Sequence, residues 1–194
     1  MVRMTALHEA GRAPAGHAPV AALRVMGIDP GLMATGFGVL EARPGEVAVV
    51  DSGVISTAIG QALEARLNAL HGAVHGIIEA CKPSLVIVED LYTEYKFPRT
   101  AVLMGHARGV IYLAARQLGV SVLALAPSEV KRAVTGNGSA GKAQMQRAVQ
   151  TLLGLDGLPR PSHVADALGL AVTGMARLTG RLPAGRAPRR QGTR

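Results

Sequence analysis

Three acids and one imidazole in this chain have the types and the spacing to hold a metal ion. Asp29 closes the apolar run from Leu23 to Ile28, and Glu89 closes the run from Leu85 to Val88. Each sits at the carboxyl end of a strand, the edge beyond which sites form in open α/β sheets. On adjacent parallel strands the two carboxylates can converge. Asp166 lies in His163-Val164-Ala165-Asp166, in the first turns of an apolar helical pattern. Spacing of i, i+3 puts His163 and Asp166 on one helix face. Carboxylates crowded in this way repel one another unless a cation sits among them, and oxygen ligands suit Mg²⁺ or Mn²⁺. Two such ions, about 3.5–4 Å apart, can activate water and stabilise the leaving oxygen at a phosphodiester. Each residue also has a plain structural reading. Asp29 before Pro30-Gly31 is a common turn residue, Asp166 near a helix start is favoured by the dipole, and His163 can be a cap or a surface residue. Glu89 is harder to dismiss, because Val86-Ile87-Val88 should bury its strand and a carboxylate there needs a partner.

The elements that must position these residues can be read along the chain. Apolar runs predict strands at Leu23–Ile28, Phe37–Leu40 and Val47–Ile55, the last two joined by a turn at Arg43-Pro44-Gly45. Helical periodicity over Gln61–Ala80, stopped by Pro83, leads to a strand at Leu85–Val88. A helix follows over Thr100–Leu118, then a strand over Val120–Ala126 and a short helix capped by Ser128 that carries Lys131. After the Gly-rich loop Gly136–Gly141 come a helix at Lys142–Leu153 and a last helix capped by Ser162. The order βββαβαβααα fits an α/β domain with a five-stranded mixed sheet and helices on both faces. Residues 1–22 read as a disordered lead-in, 23–180 as the folded domain and 181–194 as a basic tail.

Composition narrows the partners. The 194 residues carry 21 Lys and Arg against 13 Asp and Glu, a formal charge of +8, with a pI near 10.5. That balance excludes an acidic solvating protein and favours a polyanion such as nucleic acid. Six arginines and no acid lie between Arg177 and Arg194, so a basic arm carries most of the excess. Aromatics make up only 3%, too few for a surface that stacks many bases. No apolar run reaches the roughly 18 residues of a membrane span. The single cysteine, Cys81, excludes an internal disulfide, and a reducing cytoplasm is the simplest setting.

Val25-Met26-Gly27-Ile28-Asp29-Pro30-Gly31, followed by Thr35-Gly36-Phe37-Gly38-Val39, resembles the opening of the RuvC family of Holliday-junction resolvases. The likeness continues at Val88-Glu89, Gly105-His106-Ala107-Arg108-Gly109, Pro127-Ser128-Glu129-Val130-Lys131, Gly136–Lys142 and Ala165-Asp166-Ala167-Leu168. It spans about residues 24–176; each piece alone is weakly specific, and all of them in order are strongly so. The resemblance implies a ribonuclease H-like fold and a homodimer that nicks four-way DNA junctions symmetrically, in recombination and repair, with two Mg²⁺ or Mn²⁺ ions per site. It implies RuvA and RuvB as branch-migration partners. Carried over by position, it makes Asp29, Glu89 and Asp166 metal ligands and puts His163 at a fourth position where many members have aspartate. Lys131 and Lys142 match lysines near the scissile phosphate, Arg108 falls among the DNA contacts, and Tyr92 matches an aromatic that wedges into the junction. The stretch from Tyr92 to Met104 departs from the family pattern and is one residue longer.

Rival readings use the same residues. Gly136, Gly141 and Lys142 satisfy the phosphate-loop pattern G-x-x-x-x-G-K, but Ala143 stands where the Mg²⁺-binding hydroxyl belongs, and the loop follows a helix rather than a strand. Asp29-x-Gly31 with Thr35-Gly36 is similar to the phosphate loop of sugar kinases and actin-like ATPases, which need two such domains where this chain has room for one. A non-catalytic junction-binding module of the same fold is the third alternative; acids facing phosphate speak against it. The apolar helix Thr100–Leu118 is either core or the dimer interface, and the sequence leaves both open.

Overall fold

The computed structural model describes residues 22–91 and 98–183. Strand β1 (Arg24–Asp29) is the axis of the molecule. It pairs antiparallel with β2 (Ala34–Arg43), which pairs antiparallel with β3 (Glu46–Ser56), and parallel with β4 (Leu85–Glu89). β4 pairs in parallel with β5 (Ser121–Leu125), so the sheet order is β3-β2-β1-β4-β5. A central strand flanked on both sides must be apolar on both faces, and Val25, Met26 and Ile28 are fully buried.

Alternation sends these residues to two different cores. Met26, Ile28, Phe37, Val39, Val86 and Val88 pack on one face against α1 (Leu63–Cys81) and α2 (Pro98–Gln117). Val25, Leu40, Ile87 and Leu125 pack on the other face against α3 (Pro127–Thr135), α4 (Lys142–Leu153) and α5 (Ser162–Thr179). Helix α5 lies directly on β1 and β2 and is itself covered by α3 and α4. Burial from both sides accounts for its run of buried residues from Ala167 to Met175, which shows no polar face.

Close approach of α5 depends on glycine. A Cβ at Gly27 would lie 2.0 Å from the carbonyl oxygen of Ala167, and one at Gly38 would lie 2.6 Å from Leu168 Cδ2. At Gly36 it would lie 2.1 Å from the carbonyl oxygen of His163. Gly27, Gly36 and Gly38 share the α5 face, since the register pairs Gly27 with Gly38 and Asp29 with Gly36. Glycine in a strand marks such backbone contact.

The element order is the expected one, and α4 has the expected bounds. The two serine caps are corrected. Helix α3 starts from Ala126 with Pro127 in its first turn, and α5 starts from Pro161, with no side-chain cap bond at either. Proline preset to helical φ opens the α3 turn two positions early and places Ser128 inside the helix. Helix α1 ends at Cys81 on a left-handed Lys82, before Pro83. The expected lead-in 1–22 and tail 181–194 lie outside the described residues except at 22 and 181–183.

Candidate active site

Period-two alternation places the two strand-end acids on one face. β1 alternates Val25, Gly27, Asp29 towards α5, and β4 alternates Leu85, Ile87, Glu89 the same way. With the two strands adjacent and parallel, both carboxyl ends emerge beneath the first turns of α5. There His163 Nδ1 lies 2.7 Å from Asp29 Oδ2. The contact follows from the glycine seat: Gly36, opposite Asp29 in the register, carries the backbone of His163 directly. With Asp29 ionised and accepting, Nδ1 carries the proton and the Nε2 lone pair is left for another partner.

Asp29 is 8% exposed. Burial pushes its carboxyl up, opposed by the hydrogen bond and charge of His163 and by Lys142. Burial first, then the charges of Asp29 and Asp166, push Glu89 up to about 7, with Lys131 and Arg108 opposing. Burial first and then Asp29 push Asp166 up to about 6, opposed by Lys142, His163 and Lys131. The site therefore holds one buried and two half-buried carboxylates that resist being ionised together. Lys142, at the first position of α4, and Lys131, on α3, both act on this cluster from the α5 side.

Among the described residues, direct contact within the site joins Asp29 and His163. Among the described residues no three His, Cys, Asp or Glu side chains close round a single point as ligands of one ion. Mutual repulsion among the raised carboxylates works against a tighter arrangement. The donor set nonetheless fits a hard divalent ion: three carboxylates disfavoured in the ionised form, with a histidine beside them.

The loop after Asp29 is tightly held. Thr35 Oγ1 donates to Gly31 O at 2.6 Å and accepts from Gly31 N–H at 3.2 Å. Thr57 Oγ1 donates to Leu32 O at 2.5 Å, and Arg66 donates to both Thr57 Oγ1 and Leu32 O, at 2.9 and 3.1 Å. Two cavities, of about 230 and 390 Å³, lie elsewhere; both reach the amino-terminal start of β5, away from the acids.

Two arginines sit otherwise than their charge alone suggests. Arg108, expected at DNA, is 9% exposed and bound to Asp90 and Tyr112, because its place on α2 turns it inward. Arg177 belongs to the last turn of α5 and pairs with Glu129, so it is no part of a basic arm. Tyr92 lies outside the described residues. The sequence reading missed the seating role of Gly36 and Gly27; small residues at alternate strand positions were the available signal.

The family model for "Crossover junction endodeoxyribonuclease RuvC" matches residues 25–174. A protein of that name from Moorella thermoacetica is 44% identical over 148 residues, covering 76% of this chain and 88% of its own length. Another from Rhodopirellula baltica is 40% identical over 156 residues, covering 80% and 88%. A solved structure of Thermus thermophilus RuvC in complex with Holliday junction substrate superposes with a TM-score of 0.74 at 33% identity, covering 83% of this chain and 99% of that one.

Proposed function

This chain belongs to the RuvC family of crossover junction endodeoxyribonucleases, and on that premise we propose how its own residues resolve a four-way DNA junction. Asp29, Glu89, His163 and Asp166 would hold the divalent metal, Mg²⁺ or Mn²⁺, at two ions per site. When bound, the ions would supply Lewis acidity and lower the pKa of water for phosphodiester hydrolysis. The chain supplies the rest. His163 donates from Nδ1 to Asp29, which orients that carboxylate and fixes the ring tautomer. Lys142 and Lys131 bring positive charge to the phosphate, where charge builds as the bond breaks. Cleavage leaves a 5′ phosphate and a 3′ hydroxyl, a nick that can be ligated, with no covalent enzyme intermediate.

The observation that carries this reading is the meeting of Asp29 and His163, 134 residues apart, above the paired ends of β1 and β4. A junction with two-fold symmetry calls for a two-fold dimer. The exposed apolar residues Val102, Leu103 and Leu113 of α2 supply a surface for it. RuvA and RuvB are the proposed branch-migration partners, and the cytoplasm the proposed setting. Among the described residues no helix is long and apolar enough to cross a membrane.

The test is strand cleavage of a synthetic mobile four-way junction beside a matched linear duplex, with Mg²⁺, Mn²⁺ or EDTA, for the parent and Asp29→Asn. Paired nicks on opposing strands of the junction alone, lost with EDTA and in the variant, are expected. Tight binding without cutting in either metal would reduce the protein to a junction-binding module.

A further inference from the structure

An arginine with nine-tenths of its surface buried needs a reason to be there. Arg108 sits on α2 with its side chain 10% exposed, behind the end of β4 rather than on an outer surface. Its Nη1–H donates to Asp90 Oδ1 at 2.8 Å, and its Nη2–H donates to the Tyr112 hydroxyl at 2.8 Å. Tyr112 is four residues further along the same helix, so the two side chains share a face, with the guanidinium carbon 5.4 Å from the ring centre. The helix thus presents a braced fork to a single carboxylate.

That carboxylate belongs to the residue directly after Glu89. The Asp90 backbone N–H donates to Leu125 O at 2.8 Å, which carries the β4–β5 ladder one residue past the strand. Its Oδ1 also accepts from Leu91 N–H at 2.9 Å. Asp90 is therefore tied to β5 through its main chain and to α2 through Arg108. The main chain of Glu89 is held from its carboxyl side by those two ties. Arg108 also acts electrostatically on Glu89 from the α2 side of the sheet, opposite Lys131 on the α3 side.

One detail separates this arrangement from a simple cross-link. Arg108 Nε is buried and, among the described residues, has no hydrogen-bond partner. A buried donor left open is costly, and a merely structural pair has cheaper solutions. Such costs concentrate where function demands the group.

We propose that Arg108 is a positioning residue for Glu89, acting through Asp90 with Tyr112 as its brace, and that it makes no contact with DNA. The proposal rests on the acid site proposed above. It adds an ion pair one step behind Glu89 that sets where this carboxylate stands relative to Asp29.

The test uses the full chain and five proteins: the parent, Arg108→Gln, Arg108→Lys, Asp90→Asn and the double variant Arg108→Gln/Asp90→Asn. Junction binding in EDTA is measured across a salt series, and single-turnover cleavage across a Mn²⁺ series. Arg108→Gln and Asp90→Asn are each expected to keep junction affinity within about twofold, with an unchanged salt slope, since no phosphate contact is lost. Each is expected to cut about tenfold or more slowly and to need more Mn²⁺ for its half-maximal rate, because a displaced ligand costs rate steeply. Combined, the two are expected to be no worse than the poorer single variant, as befits one shared interaction. Arg108→Lys keeps the charge without the planar fork and is expected to recover only part of the rate. Where Arg108→Gln fails to unfold cooperatively, Asp90→Asn carries the test, since its side chain is 53% exposed. Weaker binding with a salt slope shallower by about 0.9 in Arg108→Gln would return this residue to the DNA and overturn the proposal. Asp90→Asn cutting at the parental rate would also overturn it. A parent that leaves the junction intact would instead overturn the reading of the site itself.

Discussion

The ends of β1 and β4 carry equivalent acids on adjacent strands, yet they are built differently. Beyond Asp29 the chain is pinned by Thr35, Thr57 and Arg66, and the helix above it rests on glycine. Beyond Glu89 the described hold is one backbone bond to β5, one ion pair to Arg108 and the local bond from Leu91 N–H to Asp90. Asp29 also has a direct partner in His163, whereas among the described residues Glu89 is reached by charges at a distance. On the metal-binding reading proposed above, Asp29 stands where the fold leaves least freedom, and Glu89 stands where one ion pair, Arg108–Asp90, has the most influence.

The comparison is most exposed at Asp29. Asp29→Asn removes the carboxylate that His163 contacts and should slow junction cutting by more than about a hundredfold, while Asp90→Asn should cost roughly a tenth as much. Single-turnover cleavage in saturating Mn²⁺ ranks the two, and equal losses would erase the distinction between the ends.

Next in size is the seat of α5. Gly36→Ala places a methyl group 2.1 Å from the carbonyl oxygen of His163, so the start of α5 must shift. Stability should fall by about 1–3 kcal/mol and cleavage should fall with it. The matching change on the α2 side, Gly105→Ala, meets among the described residues nothing nearer than Leu91 Cδ1 at 3.9 Å. A mid-helix alanine there should stabilise by about 0.5–1 kcal/mol. Urea unfolding of both variants measures the contrast.

The acids themselves make the metal-free protein pH-dependent. Glu89 is pushed up to about 7 and Asp166 to about 6, with Asp29 raised as well. Between their ordinary values near 4 and these raised ones, the native state binds more protons than the unfolded chain. Stability in EDTA should therefore be highest at the acid end of that window and fall, on the order of a kcal/mol or more, as pH rises from about 4.5 to 7. Added Mn²⁺ favours the ionised acids and should flatten or reverse the trend. Glu41, held down by Arg43 and Arg24, acts in the opposite sense: its contribution is present above the ordinary carboxylate range and is lost as the medium turns more acid. Denaturant titrations at pH 5 and 7.5, with EDTA and with Mn²⁺, test the sign.

The smallest effect expected is metal preference. Imidazole suits Mn²⁺ better than Mg²⁺, so the ratio of cleavage rates in the two metals should drop a few-fold in His163→Asp. An unchanged ratio would mean that His163 serves Asp29 alone.

Much of this was legible in the chain. The bounds of α4, the order of elements and the strand-end places of Asp29 and Glu89 follow from apolar periodicity and from Gly and Pro punctuation. The capping serines were misread because Pro127 and Pro161 set the helix starts, and a serine beside a proline looks the same either way. The surroundings of Arg108 were out of reach for a different reason. Its charge is visible in the sequence, but whether α2 turns it outward to phosphate or inward to Asp90 depends on what that helix packs against.

By itself, then, the sequence determined the local facts: which residues end strands, which side of a strand each faces relative to its neighbours, and that His163 and Asp166 share a helix turn. These are consequences of periods of two and 3.6, which a few consecutive residues suffice to set. Tertiary structure decided that β1 lies beside β4, that α5 descends onto Gly36, and that His163 reaches Asp29 across 134 residues of chain. Those contacts depend on the fit between surfaces far apart in sequence, here a methyl-free patch on a sheet and the backbone of a helix. Alternate glycines mark the sheet's half of such a fit but not the helix that fills it, because each half is settled only when the other is present.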